Sequence, residues 1–132
     1  MDCIFCKIIN KEIPGKIVYE DDVCLAFLDL SQTTLGHTLV IPKKHYDSIL
    51  ECDKDTLGHV MNVAKDIANS YELKLNAKGF NILTNVHEVA GQTVHHFHVH
   101  IIPRYDTTDT IEINFKDNQD VYDLDEILAK VK

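Results

Sequence analysis

His96-Phe97-His98-Val99-His100-Ile101-Ile102 is the stretch that decides how this chain is read. Imidazoles alternate there with apolar side chains at period two, the pattern of a strand with one polar and one buried face. His96, His98 and His100 are therefore expected to project from one side, and Phe97, Val99 and Ile101 to face a core. Each imidazole needs a hydrogen-bond partner and titrates near neutral pH, so three on one rigid strand are costly to hold without a purpose. Clusters of ionisable groups mark catalytic or metal sites. A histidine tag or metal-scavenging tract does not alternate with Phe, Val and Ile. His95 falls on the opposite parity, with Phe97 and Val99, and is expected to be a partly buried packing residue.

Working outward, Gly91-Gln92-Thr93 supplies exposed backbone N–H groups and a hydroxyl, the neutral donors that a phosphate needs. Phe80–Asn85 reads as a strand, and Leu57, Val60, Met61, Ala64, Ile67, Ala68 and Tyr71 recur at helical spacing between Lys54 and about Leu75, with Asp53 as N-cap. Towards the N-terminus, His37 to Ile41 reads as a strand closed by Pro42. Lys16–Glu20 and Val23–Leu28 form a candidate hairpin turning at Asp21-Asp22. Cys3 to Asn10 reads as a short helix with Ile4, Phe5, Ile8 and Ile9 on its apolar side, and Asp123 with Glu126 opens another in the tail. Strands, one long helix and strands again predict an α+β domain with an antiparallel sheet.

The chain has 132 residues, enough for one domain, and a net charge of −8. That charge disfavours nucleic acid and anionic membrane surfaces, which require excess Lys and Arg. No stretch approaches the roughly 20 apolar residues that span a bilayer, and no signal-like segment opens the chain. A soluble, cytoplasmic protein is expected. Of the four cysteines, Cys24 and Cys52 read as inert thiols. Cys3-Ile4-Phe5-Cys6 could converge on one ion or form a redox pair. A redox pair is expected after a strand in a βαβ unit, so half a zinc site is the favoured reading.

With Gly91-Gln92-Thr93 in front of it, the alternating run resembles the signature of the histidine-triad (HIT) superfamily, His-φ-His-φ-His-φ-φ with φ apolar. Ile4-Phe5, Lys7-Ile8-Ile9, Glu12-Ile13-Pro14, Glu20-Asp21, Ala26-Phe27, Asp29 and Gly36-His37-Thr38-Leu39-Val40-Ile41-Pro42-Lys43-Lys44-His45 resemble its Hint-type branch. The resemblance implies a HIT-like fold of about five antiparallel strands with one long helix and a short N-terminal helix. Residues 1–132 would form one HIT domain, with a core over about 3–104 and an acidic tail over 105–132.

The implied activity is nucleotidyl hydrolysis or transfer at the α-phosphorus of purine nucleoside phosphoramidates or related adenylates. By the resemblance His98 is the nucleophile, forming a nucleotidyl-histidine, and a neutral imidazole suits that role on chemical grounds too. His100 would contact the phosphate, with His37 and His96 completing the polar network. Asp29 corresponds to the acceptor for the ribose hydroxyls; Gly91, Asn85, Gln92 and Thr93 correspond to phosphate and leaving-group contacts, Thr93 standing where many relatives carry Ser. Ile4, Phe5, Ile8, Phe27 and Leu30 correspond to the slot for the base. The resemblance also adds His45 and His96 to Cys3 and Cys6 as ligands of a structural zinc, and implies a homodimer. A dinucleoside polyphosphate hydrolase is the alternative within the same chemistry, and a purine-nucleotide-binding interaction module with vestigial catalysis is the alternative outside it.

Overall fold

In a computed structural model, which describes residues 2–132, the chain folds as a five-stranded antiparallel sheet. The order of elements is α1 (Ile4–Ile9), β1 (Ile17–Glu20), β2 (Cys24–Leu28), β3 (Thr38–Pro42), α2 (Lys54–Lys74), β4 (Gly79–Leu83), β5 (Val99–Arg104) and α3 (Leu124–Val131). Across the sheet the strands lie β1-β2-β3-β5-β4, so β5 is inserted between β3 and β4. This is the α+β architecture expected from the sequence, and Asp53 and Asp123 cap α2 and α3 by accepting from the N–H groups of Thr56 and of Asp125 and Glu126.

Both faces of the sheet are covered, which explains the nearly unbroken apolar character of β2 and β3. α2 lies over β5, β3 and β4. Its buried residues Val60, Ala64, Ile67 and Tyr71 pack with Ala26, Val40, Phe97, Val99 and Ile101. On the other face α1 packs Phe5 and Ile8 against Leu25, Phe27, Leu39 and Ile41. The parity of the histidine run holds: Phe97, Val99 and Ile101 belong to the α2 side, while Phe5 of α1 meets the rings of His96 and His98 edge-on at centroid distances of 6.0 and 5.1 Å.

Two local expectations are corrected. The ladder of β5 begins only at Val99, which pairs with Val40 and leaves Ile41 and Pro42 of β3 without partners in β5; the chain bends through His96, and Phe97 N–H donates instead to the carbonyl of Tyr46 at 2.7 Å. His95 is exposed rather than a packing residue, its Nε2 lying 3.7 Å from Glu88. Parity alone could not bury it, since it precedes the part of the chain that α2 covers.

Candidate active site and metal centre

Three chain segments bring the histidines together. β5 carries His100 opposite Leu39 of β3 and Leu83 of β4. The β2–β3 connection returns His37 to the same place, and its shape depends on Gln32, whose amide donates to the carbonyls of Asp29 (2.6 Å) and His37 (2.7 Å) and accepts from the N–H of Gly36 (2.8 Å). Gly36 has φ +94°, and a Cβ there would meet Leu75 at 2.6 Å, so only glycine fits. The third segment is α1, which closes over His96 and His98.

The hydrogen bonds decide which nitrogen each ring presents. A carbonyl oxygen only accepts, so the ring nitrogen facing it must carry the proton. His98 Nδ1 lies 2.7 Å from the carbonyl of His96 and therefore donates; its Nε2 is left bare. That Nε2 makes no hydrogen bond, and no buried side-chain polar atom lacks a partner among the described residues, so it reaches solvent. His37 Nδ1 accepts from the N–H of Thr33 at 3.3 Å, which puts the proton on Nε2; that atom donates to His100 Nδ1 at 2.9 Å and leaves His100 with an Nε2–H. The result is a bare nitrogen on His98 beside a donor on His100, their rings 5.0 Å apart between centroids.

Burial keeps these rings neutral. His98 and His37 are held below the ordinary histidine value by desolvation, and His100 is pushed down to about 4 by burial and then by its histidine neighbours. Asp29 faces the group with its Oδ2 at 3.9 Å from His37 Nε2. Burial raises its pKa, but bonds from the hydroxyl and N–H of Ser31, at 2.5 and 2.8 Å, outweigh that and hold it below the usual carboxylate value. An ionised carboxylate thus stands beside neutral imidazoles.

His98 and His100 form one end of a slot of about 260 Å³, whose other walls include Phe5, Ile8, Phe27, Leu39 and Asp29. The slot is apolar with a carboxylate and imidazoles at its end, the pattern of a small-molecule site. Ile4, Leu30 and Thr93 also line it, but Ile4 and Leu30 are exposed and sit at its rim. Asn85, Gly91 and Gln92 stand outside the walls. Asn85 reaches only the carbonyl of Gly91, at 3.5 Å. Gln92 is buried, and its amide is spent on the backbone: Nε2 donates to the carbonyls of Asp47 (2.6 Å) and Val94 (3.1 Å), and Oε1 accepts from the N–H of His87 (2.8 Å). It ties the loop bearing His45 to the loop bearing Thr93. Gln32, Thr33 and Asp47 were not legible as site residues, because a glutamine, a backbone N–H and a turn aspartate carry no local signal of what they brace.

Next to the slot lies a second cluster. Cys3, Cys6, His45 and His96 bring one sulfur or nitrogen each to a common point. His96 Nε2 donates to the carbonyl of Pro42 at 2.8 Å, which leaves Nδ1 bare. His45 Nε2 is held by Asp47 at 3.1 Å, which does the same. The two bare Nδ1 atoms face each other at 3.1 Å, an arrangement without a proton between them. A cation resolves it. Cys3 Sγ and Cys6 Sγ lie 3.5 Å from His96 Nδ1, and Cys6 Sγ lies 3.4 Å from His45 Nδ1. Tetrahedral zinc, with Zn–S near 2.3 Å and Zn–N near 2.0 Å, sets edges of roughly 3.3 Å between nitrogens, 3.5 Å from nitrogen to sulfur and 3.8 Å between sulfurs, so the donor set fits. His96 therefore turns its ring towards this cluster and enters the neighbouring site through its carbonyl, not through its imidazole.

A family model described as the HIT domain matches residues 10–107. An uncharacterised HIT-like protein of Methanocaldococcus jannaschii is 48% identical over 132 residues, covering 98% of each chain. Among solved structures, a HIT family protein from Bacillus anthracis superposes with a TM-score of 0.92 at 46% identity, covering 98% of this chain and 92% of its own. One from Bacillus subtilis gives 0.93 at 42% identity over 99% and 95%. Two others bear on chemistry. An adenylylsulfatase of Arabidopsis thaliana is 41% identical over 103 residues, 78% of this chain and 52% of that one. A zinc-bound histidine triad family protein from Mycobacterium smegmatis superposes with a TM-score of 0.80 at 35% identity over 90% and 86%. With the imidazoles of His37, His98 and His100 gathered beside β5 and these likenesses running through nearly its whole length, the chain belongs to the HIT domain family, whose members include nucleotide-binding proteins and hydrolases.

Proposed function

We propose that this chain is a Hint-type nucleotidyl hydrolase, a single domain working in the cytoplasm, that cleaves purine nucleoside phosphoramidates or related adenylates at the α-phosphorus. The observation that carries the reading is the tautomer of His98: Nδ1–H is tied to the carbonyl of His96, and Nε2 is bare and open to solvent on a ring that lines an apolar slot. Nε2 attacks phosphorus, the bond to the leaving group breaks, and the nucleotide is held on His98. Water then attacks phosphorus, the P–N bond breaks, and a nucleoside monophosphate departs with His98 neutral again. His100 Nε2–H, oriented through His37, donates to a phosphate oxygen as charge develops there. The purine lies between Phe5, Ile8 and Phe27, with Ile4 and Leu30 at the rim and the ribose hydroxyls on Asp29. Thr93 and the Gly91–Gln92 backbone stand towards the leaving group. The Arabidopsis relative, an adenylylsulfatase by name, supports an adenylate with a small leaving group.

In the same reading Cys3, Cys6, His45 and His96 hold a structural zinc, whose four protein ligands leave no position for water. Reduced thiols suit a cytoplasmic setting. The zinc supplies rigidity: it joins α1 to the segment whose carbonyl orients His98. Two chains pair as a homodimer through α2 and β4, whose outer edge has no strand beside it. The test is a parallel assay of adenosine phosphoramidates, adenylyl sulfate and dinucleoside polyphosphates, with acid quench to trap a nucleotidyl-protein. Preference for the first two and a trapped adduct are expected. Preference for polyphosphates would move the substrate to the alternative class, and nucleotide binding with no turnover of any of them would make the chain a binding module.

A further inference from the structure

The connection between β2 and β3 carries both Asp29 and His37, and one side chain holds its interior. Asp29 N–H donates to the carbonyl of His37 at 2.9 Å, closing the turn at its ends. Gln32 sits inside with φ 44°, in the left-handed region where a residue bearing a Cβ is strained. Its amide is fully spent on that turn: the Nε2 protons go to the carbonyls of Asp29 and His37, and Oε1 takes the N–H of Gly36. The side chain thus holds its own backbone in a conformation that it would otherwise leave.

What that conformation secures is the next N–H. The peptide joining Gln32 to Thr33 aims its N–H at His37 Nδ1, 3.3 Å away, and this contact puts the proton of His37 on Nε2. The bond is long for its kind, yet it decides the polarity of the whole pair. If the peptide rotates away, His37 Nδ1 can carry the proton towards water and Nε2 becomes an acceptor. His100 Nδ1 then donates across the same 2.9 Å, and His100 Nε2 is left bare. Neither ring has to move. The atom that faces the phosphate has nonetheless changed from donor to acceptor, and it opposes the developing negative charge that it previously stabilised.

We infer that Gln32 is a positioning residue for the reaction: through the Gln32–Thr33 peptide it fixes the His37–His100 pair in the polarity that offers Nε2–H to the phosphate. The inference rests on the hydrolase reading for what that donor does, and on the hydrogen bonds alone for the tautomers. Asp29 has separate bracing, since the N–H and hydroxyl of Ser31 hold its carboxylate. The outer side of the connection is also held without Gln32, by Thr34 Oγ1 on the carbonyl of Pro103 and by the Tyr105 hydroxyl on the carbonyl of Leu35, each at 2.6 Å. Loss of the Gln32 amide therefore loosens the interior alone, and its cost falls on the chemical step rather than on nucleotide binding.

The full-length protein and Q32A are compared by NMR of the imidazole nitrogens at neutral pH, by turnover of an adenosine phosphoramidate, and by calorimetric affinity for adenosine monophosphate. In the parent the ring protons of His37 and His100 are expected on Nε2. In Q32A a population with Nδ1–H on both rings is expected, with kcat lower by roughly 100-fold, the usual cost of one donor to a developing oxyanion. KM and monophosphate affinity should stay within about threefold. In an H100A background Q32A is expected to cost less than about threefold, because the pair it serves is already broken. Unchanged ring tautomers in Q32A would overturn the proposal, as would an undiminished penalty beside H100A or a loss confined to KM. A lower melting temperature with tautomers and kcat intact would make Gln32 a structural brace and overturn it equally. Should the parent turn over no adenylate, the hydrolase reading fails, and the ring tautomers of Q32A still decide whether Gln32 sets the pair.

Discussion

His96 and His98 stand two residues apart on the same side of the chain, and the backbone treats them oppositely. At His96 the carbonyl of Pro42 takes Nε2–H, so Nδ1 is turned on two thiols and a second imidazole. At His98 the carbonyl of His96 takes Nδ1–H, so Nε2 is the free atom, at the slot. One region is closed by four protein donors, and the other is open to a substrate. A strand that repeats one residue type thus builds two kinds of site, because the partner of the second nitrogen, not the residue, selects the atom on offer.

The contrast breaks most visibly at the open site. H98N is expected to lower turnover by about four orders of magnitude while leaving the fold, followed by circular dichroism, and nucleotide affinity largely intact. Activity near that of the parent would take the nucleophile away from His98. At the closed site the effect should be on stability first. The purified protein is expected to hold about one zinc per chain by metal analysis, and C6A to lose it and melt on the order of 10 °C lower, with catalysis falling only through movement of His96 and His98. A metal-free protein of undiminished stability and activity after reducing purification would leave Cys3 and Cys6 as ordinary thiols.

Asp29 sharpens the comparison from the substrate's side. D29N is expected to reduce kcat/KM for a ribonucleotide by roughly 10- to 100-fold, the worth of lost hydrogen bonds to a charged acceptor, and for the 2′-deoxy analogue by less. Equal losses would confine Asp29 to bracing its turn through Ser31. The smallest expected effect is on the pH dependence of stability. His100 is pushed down to about 4 from an ordinary 6.5, so the unfolded chain takes up its proton first as pH falls. Its contribution is complete above about 6.5 and is lost between there and about 4. Melting curves of the parent and H100Q should converge or diverge within that window alone; a difference that is flat across it would mean His100 is not held neutral.

Period-two alternation placed His96, His98 and His100 on one face and Phe97, Val99 and Ile101 on the other, because pleating is local and leaves no other option. The long helix, its cap at Asp53 and the hairpin before it were legible for the same reason: capping and turn chemistry act within a few residues. The family signature named the residues of both clusters. What no local pattern contains is the approach of segments distant in sequence. Only the folded chain sets His37 on His100, Cys3 on His96 and the carbonyl of Pro42 on Nε2, across separations of 63, 93 and 54 residues. It also withdrew Gln92 into the backbone and left His95 in solvent, since burial depends on what packs above a residue and not on its parity. The sequence by itself determined which residues could do chemistry; the tertiary structure alone decided which atom of each is free to do it, because a tautomer is set by an acceptor brought from elsewhere in the chain.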